Sequence, residues 1–148
     1  MTGEGEITMG FAMRMKLTDI IKPGTCKPIY INGKQQGFSF DMQLAYYRGH
    51  YLSDIDCMEV LVDGERMPRE GITLELNGKE FTTYQFAHAE TEFWSQAAMA
   101  RVNVLKRGGL SAGEHTLTLN LMLRVPYMAI GPRMYMPLDC GDTVNFTM

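Results

Sequence analysis

"LTLNLMLRV" (117–125) places an aliphatic side chain at every second position. Leu117, Leu119, Leu121, Leu123 and Val125 alternate with Thr118, Asn120, Met122 and Arg124. Successive side chains of an extended chain point to opposite faces, so one face of this segment is uniformly apolar. The segment reads as a long strand with one side on a core. The same period recurs on either side of it. Phe38, Phe40, Met42, Leu44 and Tyr46 alternate with Ser39, Asp41, Gln43 and Ala45. Met58, Val60 and Val62 flank Glu59 and Leu61, and Ile72, Leu74 and Leu76 flank Thr73 and Glu75.

The breaks between these runs carry hairpin chemistry. Asn32-Gly33, Asp63-Gly64 and Asn77-Gly78 each separate two strand-like segments. Such dipeptides tolerate the positive φ angles of a type I′ turn. "KRGGLSAGEHTLTL" (106–119) is a glycine-rich loop that feeds the long strand. "TEFWSQAAMA" (91–100) offers either a turn or two of helix or a loop. Short strands with a turn about every ten residues predict an all-β fold, an antiparallel β-sandwich of about seven to nine strands with little helix. Residues 27–148 form that domain, with an irregular C-terminal tail from about residue 129. Residues 1–26 are the least strand-like and read as an irregular or partner-dependent arm.

The 148 residues, 45% hydrophobic and 21% charged, match an ordinary globular chain able to bury a core. A net charge of -3 leaves no basic stripe for phosphates, which argues against nucleic acid. Cys26, Cys57 and Cys140 are odd in number and widely spaced, as expected of reduced thiols in a cytoplasm. The N-terminus shows no apolar run of signal-peptide length, and no stretch is long enough to cross a bilayer as a helix. The expectation is a cytoplasmic protein without membrane contact.

Chemistry-bearing constellations are scarce. His50, His88 and His115 are isolated, and the nearest approach to a ligand cluster is His88 with Glu90 and Glu92. A cysteine nucleophile needs a nearby base; Cys57 lies in a strand pattern and reads as a small buried hydrophobe, and Cys140, in "PLDCGD", falls at the end of the expected irregular tail. Nucleophile-elbow, phosphate-loop and dinucleotide motifs are missing. No catalytic and no metal residue is therefore assigned. What stands out is "YYRGHY" (46–51) and "LMLRVPYMAIGPRMYMP" (121–137). Tyr, Arg and Met are the types enriched where proteins meet proteins, and Tyr with Arg also suits flat ligands. Tyr46, Tyr47, Arg48, His50, Tyr51, Arg124, Tyr127 and Arg133 are the candidates for an interface or a substrate pocket.

A family resemblance enters through these same stretches. "GFSFDMQLAYYRGHYLSDIDCMEVLVDGERMPREGITLELNGKEFT" (37–82) resembles the small beta subunit of bacterial C-glycoside deglycosidases. The matching elements are "GFSF", "YYRG" followed by "LS", "VDGE", the "PRE" before a strand, Trp94, "GGLSAGEHTLTL", "LRVPYM" and the "DC" of the tail. The resemblance runs from about Lys27 to Cys140. His50 and Tyr51 after the glycine, and the "MGFAMRMKL" of the arm, depart from the family's pattern.

The resemblance implies an all-β accessory subunit assembled with a larger TIM-barrel alpha subunit into an (αβ)n complex. The partner would carry a divalent metal, manganese, and the acid–base groups, with no cofactor in this chain. The complex would cleave the C–C bond between a sugar and an aromatic aglycone of a 3-oxo-C-glycoside, flavonoid C-glycosides among them, by metal-assisted elimination. Tyr46, Tyr47 and Arg48 would then face the mouth of the partner's barrel. Two other readings stay open at this point. One is a stand-alone carbohydrate-binding sandwich with Tyr46, Tyr47, Tyr51 and Trp94 as a stacking platform. The other is a structural, homo-oligomeric sandwich.

Overall fold

The computed structural model describes residues 12–148. In chain order the strands are β1 (Lys27–Ile31), β2 (Lys34–Gln43), β3 (His50–Tyr51), β4 (Ile55–Val62), β5 (Glu65–Arg66) and β6 (Ile72–Leu76). They continue with β7 (Lys79–Thr82), β8 (Phe93–Trp94), β9 (Met99–Leu105), β10 (Glu114–Gly131), β11 (Met134–Asp139) and β12 (Asp142–Thr147). One sheet has the order β1-β2-β9-β6-β7. The other has the order β11-β10-β4-β5, with β12 also on β10, and all strand pairs are antiparallel. A two-stranded ribbon of β3 and β8 closes one end. This is the all-β sandwich that the period of two predicts, with more and shorter strands than expected.

The alternation explains the layers. Phe38, Phe40, Met42, Leu74, Val102 and Val104 of the first sheet are buried, as are Val60, Leu117, Leu119, Leu121, Leu123 and Val125 of the second. They join one hydrophobic core between the two sheets. The outward positions of the first sheet form a polar ladder instead: Arg101 donates to Asp41, Asn103 to Glu75 and Thr73 to Glu80. All three anticipated turns have both central residues at positive φ: Asn32 and Gly33, Asp63 and Gly64, Asn77 and Gly78.

The chain from residue 129 onward is not an irregular tail. β10 runs to Gly131, β11 pairs with its second half, and β12 returns along its first half, Leu119 facing Asp142. Methionines and prolines (Met128, Pro132, Met134, Met136, Pro137) hide the period here, but a single long strand offers a free edge on which two successive strands fit. Cys140 lies buried at the corner between them, where burial pushes its thiol up to about 12. The segment 91–100 holds strand β8 rather than helix. A 3-10 turn that the sequence pattern did not signal spans Thr83–His88, opened by a capping box between Thr82 and Gln85.

Residues 12–26 are irregular in backbone yet laced to the sandwich. Met13 bridges Leu138 of β11, Arg14 donates to the Gly141 carbonyl, and Lys16 pairs with Asp142. The segment then crosses to β2, where Gln43 donates to the Ile20 carbonyl and Ile20 and Ile21 are buried. Residues 1–11 of the proposed arm lie outside the described residues.

Candidate functional site

After Gln43 the alternation stops. Leu44, Ala45 and Tyr46 are all buried in succession, and the chain bends through residues 46–48 into β3. The bend leaves Tyr47 and Arg48 outside and sends His50 back inside. Gly49 is required by close approach rather than by its φ. A Cβ there would lie 2.4 Å from the Trp94 carbonyl oxygen and 2.6 Å from the Phe93 ring. "YYRG" is thus the seam where β2 of one sheet passes against the β3–β8 ribbon.

Tyr127 reaches this seam from the other sheet. The β10–β11 pairing steps from Val125↔Met136 to Ala129↔Tyr135, so Pro126, Tyr127 and Met128 form a bulge with no opposing residue. Pro126 has no N–H to give to the ladder, and a bulge re-aims the side chains within it. The Tyr127 hydroxyl lies 2.8 Å from that of Tyr46 and 3.2 Å from that of Tyr47. The Arg48 guanidinium lies 4.5 Å from the Tyr127 ring centroid and 5.6 Å from that of Tyr47, within cation–π range.

The three phenols differ in environment. Burial, then the hydrogen bonds to Tyr127 and Tyr47, raise the Tyr46 phenol far above its ordinary value. Burial also raises Tyr127. Tyr47 is lowered by its hydrogen bonds to Tyr127 and Tyr46, with Arg48 adding to the effect. The three hydroxyls therefore form a polar contact between the sheets, with Tyr47 its most acidic member. Below them His50 packs 5.8 Å from the Tyr46 ring. Burial lowers its pKa against the pull of Asp54, 3.6 Å from Nδ1, and its Nε2 has no hydrogen-bond partner among the described residues.

The eight candidate residues separate into distinct groups. Tyr46, Tyr47, Arg48 and Tyr127 come together, with His50 behind them. Tyr46 and His50 are buried (4% and 3% exposed) and stand behind the exposed members; Tyr46 keeps the core-facing phase of Phe38, Phe40, Met42 and Leu44, and Ala45 is the residue that breaks the alternation. Tyr51 is exposed and meets Phe93 edge to face at 5.1 Å. Arg124 is tied within the chain: it donates to Asp56 at 2.8 Å and to the Ser53 carbonyl. Arg133 sits at positive φ in the turn between β10 and β11. Phe93 was not among the sequence candidates. Its signal was its place beside Trp94 on a strand, where neighbours face opposite ways; Trp94 is 1% exposed and Phe93 is outside.

The exposed members, Tyr47, Arg48, Tyr51, Phe93 and Tyr127, present aromatic area, one guanidinium and no carboxylate. Such a surface suits binding to an apolar, carboxylate-bearing counterpart rather than proton transfer. Elsewhere Glu92 is held by Asn77 and Lys79, which removes it from any site with His88. Among the described residues no group of three or more His, Cys, Asp or Glu side chains could hold a metal ion. The metal that the family resemblance implies therefore finds no fitting donor set among the described residues of this chain.

Comparison with known proteins places this geometry. Residues 16–127 match the family model described as C-glycoside deglycosidase beta subunit, which takes in the "YYRG" seam and ends at Tyr127. A C-glycoside deglycosidase beta subunit of Eubacterium cellulosolvens is 34% identical over 97 residues, covering 66% of each chain. One from Arthrobacter globiformis is 30% identical over 68% of this chain and 76% of its own. A 3'-dehydrocarminate deglycosidase beta subunit of a Microbacterium species is 27% identical over 74% of this chain and 80% of its own. The chain spans about two thirds of the length of the first of these relatives. The matched span takes in the whole first sheet, β4, β5 and most of β10 of the second, and the seam between them, and this protein belongs to the C-glycoside deglycosidase beta subunit family.

Proposed function

We propose that this chain is the small, non-catalytic subunit of a cytoplasmic carbon–carbon lyase. It docks on a larger TIM-barrel alpha subunit in an (αβ)n assembly. The complex cleaves the bond between the sugar and the aromatic aglycone of a 3-oxo-C-glycoside. A 3-keto group acidifies the neighbouring C–H, so the aglycone leaves by elimination, and a divalent metal held by the partner supplies Lewis-acid assistance. The reacting centre of a TIM barrel lies at the C-terminal ends of its strands. A β-sandwich placed there by its Tyr47–Arg48–Tyr127 end excludes water and walls the aglycone pocket. Tyr46 and His50 keep that end rigid.

The observation that carries this reading is the exposed aromatic–guanidinium end built on a hydroxyl triad that joins both sheets. Native mass spectrometry of the untagged protein from its own cells tests it. The expected result is a stable complex with a metal-bearing chain of about 250 residues, the usual TIM-barrel size. A lone chain or a pure homo-oligomer would overturn it. The stacking-platform reading loses two of its four rings, since Tyr46 and Trp94 are buried.

A further inference from the structure

Val125 and Leu138 are fully buried, and in the hairpin they open Met128 and Met136 still pack, partly buried, against the core while its other apolar side chains face outward. From Pro126 to Tyr135 every residue is exposed or half-buried. Tyr127, Ile130, Met134 and Tyr135 are 46%, 39%, 56% and 39% exposed, and Met128 and Met136 are half-buried. The pairing of β10 with β4 ends at Leu123↔Ile55, so past that point, among the described residues, β11 is the strand paired with β10. On the other edge, Met13 covers β11 at Pro137 and Asp139. Among the described residues no third strand pairs with Met134–Met136.

A two-stranded ribbon with apolar side chains and open edges is marginal by itself in water. Exposed apolar patches of this kind mark interaction sites, and open strand edges invite pairing. The arm also begins at Tyr127, so its apolar surface is continuous with the Tyr47–Arg48–Tyr127 end. The only charged side chain between Pro126 and Leu138 is Arg133, at the tip.

We propose that this hairpin is an arm that inserts into an apolar groove of the larger subunit, where a partner carboxylate meets Arg133. The inference rests on the reading of this chain as a subunit of a heteromeric complex. Charge selects the partner over a second copy. A two-fold self-contact sets the same patch against itself. Here that would set a face carrying Arg133 and Arg48 against its own copy, with no acidic side chain from 126 to 138 to pair with them. The arm past Tyr127 lies outside the family model's matched span. Its grip is therefore an addition to whatever docking the matched core performs.

Photo-crosslinking in the intact complex tests the arm. The full chain, expressed in its own cells, carries p-benzoylphenylalanine in place of Tyr135, of Tyr47, or of Tyr30 as a control on the distant edge strand β1. Crosslinks from positions 135 and 47 to the larger subunit, with none from position 30, are expected. Crosslinking of position 135 only to a second copy of this chain would overturn the arm's assignment. So would a crosslink from position 47 without one from position 135, which leaves the subunit reading intact. No crosslink from either, with the chain alone in native mass spectra, would overturn the subunit reading itself. As a second measurement, Ile130→Asp with Met134→Asp should weaken assembly at least about tenfold, the scale of a lost hot spot, while circular dichroism stays unchanged. Undiminished assembly of that variant would overturn the proposal.

Discussion

Tyr46 and Tyr127, 81 residues apart in sequence, meet hydroxyl to hydroxyl at 2.8 Å and join the two sheets at one end of the sandwich. Tyr46 comes from the bend after β2 and Tyr127 from the bulge in β10. Each owes its position to a local departure from strand regularity, and the contact exists only because both departures fall at the same end.

That contact has a measurable strength. Tyr46→Phe and Tyr127→Phe should each lower stability by about 0.5–1.5 kcal/mol, the usual worth of a hydrogen bond. The double variant should lose less than the sum of the two. Urea unfolding of the four proteins checks this, and strict additivity would show that the hydroxyls do not couple.

Gly49→Ala tests the seam. The added methyl meets the Trp94 backbone carbonyl and the exposed Phe93 ring. Overpacking of this kind costs about 1–3 kcal/mol. The midpoint of unfolding should fall accordingly, and an unchanged midpoint would mean that β3 and β8 separate freely.

Arg48 and Arg124 should behave differently. Arg124→Ala loses ties to Asp56 and Ser53 within the chain, at the modest scale of an exposed ion pair, about 0.2–1 kcal/mol. Its effect should appear in the melting temperature and not in partner binding. Arg48→Ala should weaken assembly or turnover of the complex more than it lowers the melting temperature of the isolated chain. Equal losses for Arg48→Ala would make that arginine structural.

His115 gives stability a pH dependence. Its Nε2 lies 2.7 Å from the Ser111 carbonyl and its Nδ1 2.7 Å from the Asp63 carboxylate. Both neighbours only accept, so both ring nitrogens donate only in the imidazolium form. The Ser111 carbonyl first, then Asp63, raise the pKa above its ordinary 6.5. A group raised on folding stabilises fully below its unfolded pKa and loses that contribution as pH rises through the folded value. His50, lowered by burial, acts in the opposite sense and costs stability on acidification. The stability difference between the natural chain and His115→Asn should therefore be larger at pH 6 than at pH 9. A difference that does not change with pH would assign His115 a neutral ring.

Metal binding separates this chain from its proposed partner. Titration calorimetry of the isolated chain with manganese should show no tight stoichiometric site. A tight site would move the metal into this chain and undo the proposed division of labour.

Local rules were enough for the sandwich itself. The period of two in Leu117–Val125, Met58–Val62 and Ile72–Leu76 assigns each strand an inner face, because the pleat of an extended chain alternates side chains whatever lies around it. Asn-Gly and Asp-Gly likewise specify their turns by steric permission at positive φ, a property of two adjacent residues. The motif "YYRG" marks the bend at which the Tyr46–Tyr127 contact forms. Tyr46 keeps the inward phase of the run from Phe38; what the pattern could not reveal is that Ala45 turns inward beside it and that the bend after it leaves Tyr47 and Arg48 both outside. Arg124 and Arg133 read alike in sequence, but Asp56 and the Ser53 carbonyl, brought alongside by β4, bind one of them, while the other rides a turn away from the core. β11 escaped the pattern because methionine and proline blur its period, and β12, which holds neither, is short and offers only Val144 and Phe146 as apolar positions; the long free edge of β10 is what orders both. Strand identity is set by residues next to each other. Which side chains form the exposed end, and which support it from inside, is set by contacts between elements many residues apart, and those form only once the sheets have packed.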